Sequence, residues 1–221
     1  MKRLLLMVLF LSFCLTPCFA QVVHQLDDGS GELPGITSGA TREALVLNCF
    51  DAVGVGENII NISGVWGSVA PSGAPARVVL FSDPNNDCNP SDAQLLVQIP
   101  TTFGTTGSSF SVDIPPTFVS GKFFVGVIWL NPNGTLWMGY DTDTNSNGRS
   151  WFVSSDLSGT INLNDLSSNG VILNDNVNMI RAEGESSTSI PTINEWGMII
   201  FMIFAGLGAT YYLRRQKTAK G

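Results

Sequence analysis

Gly121-Lys122-Phe123-Phe124-Val125-Gly126-Val127-Ile128-Trp129-Leu130 is the stretch on which the fold turns. Side chains alternate between the two faces of a strand, and here odd and even positions are both apolar. A strand with this pattern is covered on both sides and belongs at the centre of a sheet. Asn131-Pro132-Asn133-Gly134 follows, and its Asn-Gly pair favours a tight turn with positive φ angles. The next segment, Thr135 to Tyr140, then predicts a hairpin with the central strand.

Outward from this segment the chain keeps the same rhythm. Short apolar bursts, separated by Gly, Pro, Asn, Asp, Ser and Thr, predict further strands at Ala44–Phe50, Asn58–Trp66, Ala76–Phe81, Gln94–Ile99, Ser109–Ile114, Ser150–Ser154 and Asn178–Ala182. Strands this short, with turns every eight to fifteen residues or so, indicate an all-β fold, an antiparallel sandwich or jelly roll. Trp66, Trp129, Trp137 and Trp151 could form a carbohydrate-stacking row, but in a small sandwich such rings fill the core, and that is the expectation here.

The two ends are of another kind. Lys2 and Arg3, an apolar run from Leu4 to Leu15 and a small residue at Ala20 have the layout of a secretory signal peptide over 1–20, cleaved after Ala20. At the other end, Gly197 to Leu213 holds no charged residue and Arg214-Arg215 follows. As a helix this run is about 25 Å long, which predicts one C-terminal transmembrane helix at about 197–213. Residues 21–182 are then one exported domain. Residues 183–189, Glu-Gly-Glu-Ser-Ser-Thr-Ser, read as a flexible polar tether, and 190–221 as the membrane-directed tail.

Charge is sorted along the chain beneath an overall net charge of −7. Between Gln21 and Ser189 there are only Arg42, Arg77, Lys122, Arg149 and Arg181 against 17 Asp and Glu, a balance of 5 − 17 = −12. Basic flanks stay cytoplasmic, so a single-pass chain would keep its C-terminal tail inside and the acidic domain outside. A domain so poor in clustered Lys and Arg is unsuited to nucleic acid.

Cys14 and Cys18 lie in the signal segment, which leaves Cys49 and Cys88. An even pair in an exported domain reads as a disulfide, with two free buried thiols as the alternative. No catalytic constellation stands out. His24, the chain's only histidine, sits next to the expected mature terminus and reads as a solvated end residue, so neither a nucleophile–base pair nor a His-based zinc site is expected. Carboxylates are abundant, but nothing pairs two of them across a groove as a glycosidase requires. Calcium is the one cofactor in view. Asp83, Asn85, Asp87 and Asp92 in one loop, and Asp141, Asp143 and Asn145 in another, place oxygen donors at alternating positions as a hard cation requires, although Asp and Asn also make turns by themselves. Asn61-Ile62-Ser63 and Asn133-Gly134-Thr135 fit the N-glycosylation pattern, which has meaning only in a eukaryotic secretory pathway.

Ile190-Pro191-Thr192-Ile193-Asn194-Glu195-Trp196-Gly197, followed by the apolar run and the Arg pair, resembles the IPTL-CTERM sorting domain of exported bacterial proteins, with Ile193 where the family name carries Leu. The resemblance implies recognition and processing by a membrane-embedded exosortase-type enzyme of a Gram-negative cell. Ile190, Pro191, Thr192, Glu195, Trp196 and Gly197 would be recognition residues, with Arg214 and Arg215 as the basic stop. Pro191 lacks an N–H and disfavours helix just before it, which keeps the approach to the apolar run extended, and Trp196 stands where indole rings prefer a membrane interface. The domain, with Asp27-Asp28-Gly29-Ser30-Gly31-Glu32, Asp83-Pro84-Asn85-Asn86-Asp87 and Gly148-Arg149-Ser150-Trp151, is similar to β-sandwich modules of exported bacterial surface proteins, a resemblance that implies no ligand. The expected protein is a non-enzymatic surface or matrix protein sorted by its tail. A glycan- or protein-binding module with calcium-ordered loops is the alternative, and a carboxylate-dependent glycosidase is a more distant one.

Overall fold

The computed structural model describes residues 21–31, 33–36, 42–67, 72–131, 135–155, 159–186 and 193–218. The chain divides into two units, with boundaries between Ala20 and Gln21 and between Ser187 and Thr188. The unit from Gln21 to Ser187 is built from thirteen described strands: β1 (Gln21–His24), β2 (Leu33–Ile36), β3 (Arg42–Asp51), β4 (Glu57–Val65), β5 (Pro75–Asp83), β6 (Gln94–Thr102), β7 (Ser109–Val119), β8 (Lys122–Asn131), β9 (Thr135–Asp141), β10 (Ser150–Ser154), β11 (Gly170–Asn174), β12 (Val177–Asn178) and β13 (Ile180–Ser186). One layer is a six-stranded sheet of order β11-β10-β3-β8-β5-β6. Facing it are a four-stranded sheet, β1-β13-β4-β7, and a three-stranded one, β12-β9-β2, joined by a bridge between Trp66 and Met138. The pairings in all three sheets are antiparallel, so the all-β sandwich expected from the turn rhythm is the fold observed.

The central position of β8 follows from its composition. It pairs with β3 from Lys122 to Asn131 and with β5 from Lys122 to Trp129. Phe123, Val125, Val127 and Trp129 face the other layer and join Val46, Val78, Leu80, Ile59, Ile62, Trp66 and Met138 in the main core. Phe124 and Ile128 point the other way, into a second core with Leu45, Leu47, Val79, Phe81 and Val153. A sheet face would normally be left to water here. Ile161, Leu163 and Leu166, from the segment between β10 and β11, cover it together with Cys88 and Ala93. Gly126 sits where the two neighbouring strands come closest, and a Cβ at that position would lie 2.2 Å from the Val46 carbonyl oxygen and 2.6 Å from Leu47 Cδ2. Trp66 and Trp129 are each 1% exposed and pack with Phe103 and Phe110, as expected of core aromatics. Trp151 is half-buried, and the side chain of Trp137 lies outside the described residues.

The structure corrects two expectations about connectivity. The hairpin expected between the central strand and Thr135–Tyr140 does not form: β8 pairs with β3 and β5, whereas β9 pairs with β12 and β2 in the opposite layer. Turn residues reverse the chain without choosing its next partner, and the flanks of β8 are already occupied. The expected tether begins later than 183, because Glu183 to Ser186 complete β13, paired with β1 on one side and β4 on the other. Residues 187–189 lie outside the described residues. The segment Asn178–Ala182, expected as one strand, is split at Met179 into β12 and β13. The buried Asn178 holds this break in place by donating from Nδ2 to the carbonyl oxygens of Leu47 and Trp151 and to Ser150 Oγ, while Asn48 Nδ2 donates to the carbonyl oxygens of Asn178 and Ile180.

In the second unit, a 26-residue helix, α1 (Ile193–Thr218), covers the apolar run. Its described side chains are exposed, including the consecutive Ile199, Ile200, Phe201, Met202, Ile203 and Phe204. Among the described residues no helix is long and apolar enough to cross a membrane, so the expected span at about 197–213 gains no support from the fold.

Candidate functional site

The Asp83 loop is shaped by its own side chains. Asp83, 2% exposed, accepts from the backbone N–H of Cys88 at 2.8 Å and of Asn86 at 3.1 Å. Asn85 Oδ1 then accepts from the N–H of Asp87, Asp87 Oδ1 from that of Asn89, and Asn89 Oδ1 from that of Ser91. These successive Asx turns explain the alternation of oxygen-bearing residues, since each side chain takes the N–H two positions on. Asn86 and Cys88 adopt positive φ angles of 59° and 62°, and Asn86 Oδ1 accepts from the N–H of Lys122 at 2.7 Å, which ties the loop to the start of β8. Cys88 is thereby delivered to β3, where it forms a disulfide with Cys49 across a Cα–Cα distance of 5.8 Å.

Each of the two loops singled out from the sequence gathers carboxylates. Oxygens of Asp83, Asp87 and Asp92 lie within 4.8 Å of one another, and so do those of Asp28, Asp141 and Asp143. Burial holds the Asp83 carboxyl above the usual range, with the charges of Asp87 and Asp92 adding to it and the Cys88 and Asn86 N–H groups opposing it. Burial also pushes Asp141 upward, but donation from the Asp28 N–H and from the N–H and hydroxyl of Thr144 outweighs it and leaves Asp141 below the usual range. Asn85 and Asn145 serve as turn acceptors beside these clusters. Asp28, which the sequence did not connect to Asp141, arrives from the segment after β1, with its N–H 2.9 Å from Asp141 Oδ2. Its neighbour Asp27 is buried and paired with both Nε and Nη2 of Arg181.

His24 is not the solvated end residue expected from its position. It is 8% exposed, its ring lies 5.2 Å from that of Phe123 and 5.6 Å from that of Phe50, and its Nε2 is 2.9 Å from Oε1 of Glu57, which is fully buried. Glu57 Oε1 also accepts from the Val53 N–H, while Oε2 has no partner among the described residues. This couple lies against Phe50 and Phe123 of the main core. A groove of about 580 Å³ does open at one end of the six-stranded sheet, between Pro75, Arg77, Pro100, Ile128, Leu130 and Glu43. Arg77 and Glu43 are ion-paired at 2.5 Å on its wall, and Glu43 Oε2 also accepts from the Ile161 N–H. Asn61, in the first glycosylation pattern, is 7% exposed and spends its Nδ2 on Ser111 and Asp113, so it offers no free amide for a glycan.

Of the sorting residues, Gly197 and Arg215 are exposed on α1, and Glu195, Trp196 and Arg214 belong to the same helix with side chains outside the described residues. Ile190, Pro191 and Thr192 lie outside the described residues altogether.

No known protein family matches the chain, and no curated protein is significantly similar to it. Among solved structures, the sandwich is similar to the clostridial cysteine protease Cwp84 after propeptide cleavage, with a TM-score of 0.51 and 17% identity over 76% of this chain and 40% of that one. A second structure, of the cysteine protease and lectin-like domains of Cwp84, described as a surface layer associated protein of Clostridium difficile, gives 0.49 and 16% over 76% and 36%. The chain thus spans less than half of these proteins, and at such identities the likeness is one of fold.

Proposed function

We propose that this chain is a non-enzymatic exported protein, displayed at the cell surface or in the extracellular matrix. In this reading its C-terminal tail is the substrate of an exosortase-like sorting enzyme. The observation that carries the sandwich half of the reading is the buried Cys49–Cys88 disulfide, a bond that persists in oxidising compartments. The engagement of the only histidine with Glu57 inside the core supports a non-catalytic role, because that imidazole cannot reach a substrate. The tail half rests on the order of motif, uncharged apolar run and Arg pair. Six consecutive exposed apolar side chains on α1 are costly in water and favour burial of this helix against a processing enzyme. Deleting the exosortase-like gene of the producing cell tests the reading. The protein should shift from the envelope or medium to the inner-membrane fraction, and unchanged distribution in the deletion strain would refute it.

A further inference from the structure

We propose that cutting the chain between Ala20 and Gln21 creates an ion-pair clamp for β1, in which the new α-ammonium group of Gln21 is met by Glu183 and Glu185 of β13. The inference rests on the signal-peptide reading of residues 1–20 and adds a role for the end that cleavage makes. Hydrolysis of this bond adds one water, leaving a carboxylate on Ala20 and an amine on Gln21 that takes up a proton below about pH 8. The division between the chain's two units falls at that bond, between Ala20 and Gln21. The partners are in place, because Gln21 lies opposite Glu185 in the β1–β13 register and its Nε2 donates to Glu183 Oε2 at 2.8 Å.

The sandwich has no cation of its own for these carboxylates. Arg77 is paired with Glu43, Lys122 and Arg149 with Asp51, and Arg181 with Asp27, while Arg42 donates to the Ser155 carbonyl oxygen. Glu183 and Glu185 are half-buried on the outward face of β13, flanked on β4 by the neutral Asn58 and Asn61, with Asp113 of β7 beyond Asn61. Glu57 and His24, the other polar side chains beside β1, meet each other inside the core. A terminal ammonium at Gln21 therefore meets an excess of carboxylate. It also secures an edge strand whose last member is the buried His24.

The test compares chain 21–221 in detergent micelles, released from a fusion so that it begins at Gln21, with the same chain carrying a four-residue Ser-Gly-Ser-Gly extension. An ammonium that gains carboxylate partners has its folded pKa raised, so its contribution is complete below about pH 7.7 and is lost as pH rises through the folded value. The free Gln21 form should melt about 2 °C higher at pH 6 and exchange its β1 amides more slowly. The gap should close at pH 9.5 and in the double variant Glu183→Gln/Glu185→Gln. Equal melting and exchange at pH 6, or a gap that survives in the double variant, overturns the clamp. So does a terminus one ammonia lighter at pH 6, in which the Gln21 amine has displaced Nε2 from Cδ to close an uncharged lactam. The underlying cleavage is read separately, from the first residue of the protein recovered from cells; a residue other than Gln21 there would refute the signal-peptide reading and leave the clamp measurement intact.

Discussion

Gly126 and His24 show how much a single position can depend on strands distant in sequence. At Gly126 the flanking strands leave no room for a methyl group, and hydrogen bonding of β8 on both edges prevents either neighbour from retreating. Gly126→Ala is expected to cost about 3 kcal/mol, at the upper end of overpacking penalties, and to lower Tm by roughly 10 °C in calorimetry. An unchanged Tm would mean that the sheet can splay at its centre. For His24 the expectation concerns coupling. His24→Ala leaves the Glu57 carboxylate buried without its ring partner, whereas in a Glu57→Gln background the same truncation removes only packing. Chemical denaturation of the four forms should give a coupling of 1 kcal/mol or more, and additive costs would show that the couple is energetically idle. Neither role was legible in the sequence. A glycine inside an apolar run marks close approach or a bulge without saying which. The pocket around His24 is assembled from Phe50, Phe123 and Glu57, and β1 is positioned by β13, whose residues lie about 160 positions away.

At the scale of elements, much of the architecture was written locally. Eight of the nine expected strands appear whole, and the ninth, Asn178–Ala182, falls across β12 and β13, because each apolar burst is bounded by residues that favour turns. The three strands that were missed, β1, β2 and β11, are four or five residues long and too brief to show a period. The layer to which a strand belongs was not written locally, as the unformed β8–β9 hairpin shows. Nor could alternation of Asp and Asn separate a ligand set from a run of Asx turns, since both place an oxygen at every second residue. The cysteine pair was legible, and its energetic role follows from its spacing. Cys49 and Cys88 are separated by 39 positions, and closing that loop removes about 4 kcal/mol of unfolded-state entropy in the simple chain model. The double variant Cys49→Ser/Cys88→Ser should therefore lose most of that stability in urea while the far-ultraviolet spectrum stays that of an antiparallel sandwich. A loss below about 1 kcal/mol would show that the Asx turns and the Asn86 contact to Lys122 already order the loop.

Across the whole molecule, charge and covalent architecture divide the work between the two units. Acidic residues are concentrated between Gln21 and Ser189, which keeps the sandwich charged and hydrated, and basic ones lie at the ends, where the proposed address stands. The chain divides between Ser187 and Thr188. Pro191→Ala and Trp196→Ala change residues of the proposed sorting motif and none of the sandwich, so they are expected to leave the Tm of the sandwich within about 1 °C of the parent. In cells the same variants should accumulate in the inner membrane with Arg214 and Arg215 still attached, read by intact mass. The disulfide-free variant should behave in the opposite way, with a lowered Tm and a normally processed tail. If Trp196→Ala lowered the Tm of the sandwich as well, the tail would have to be packing against it; if Trp196→Ala were processed normally, the motif would not be the element that the sorting enzyme reads.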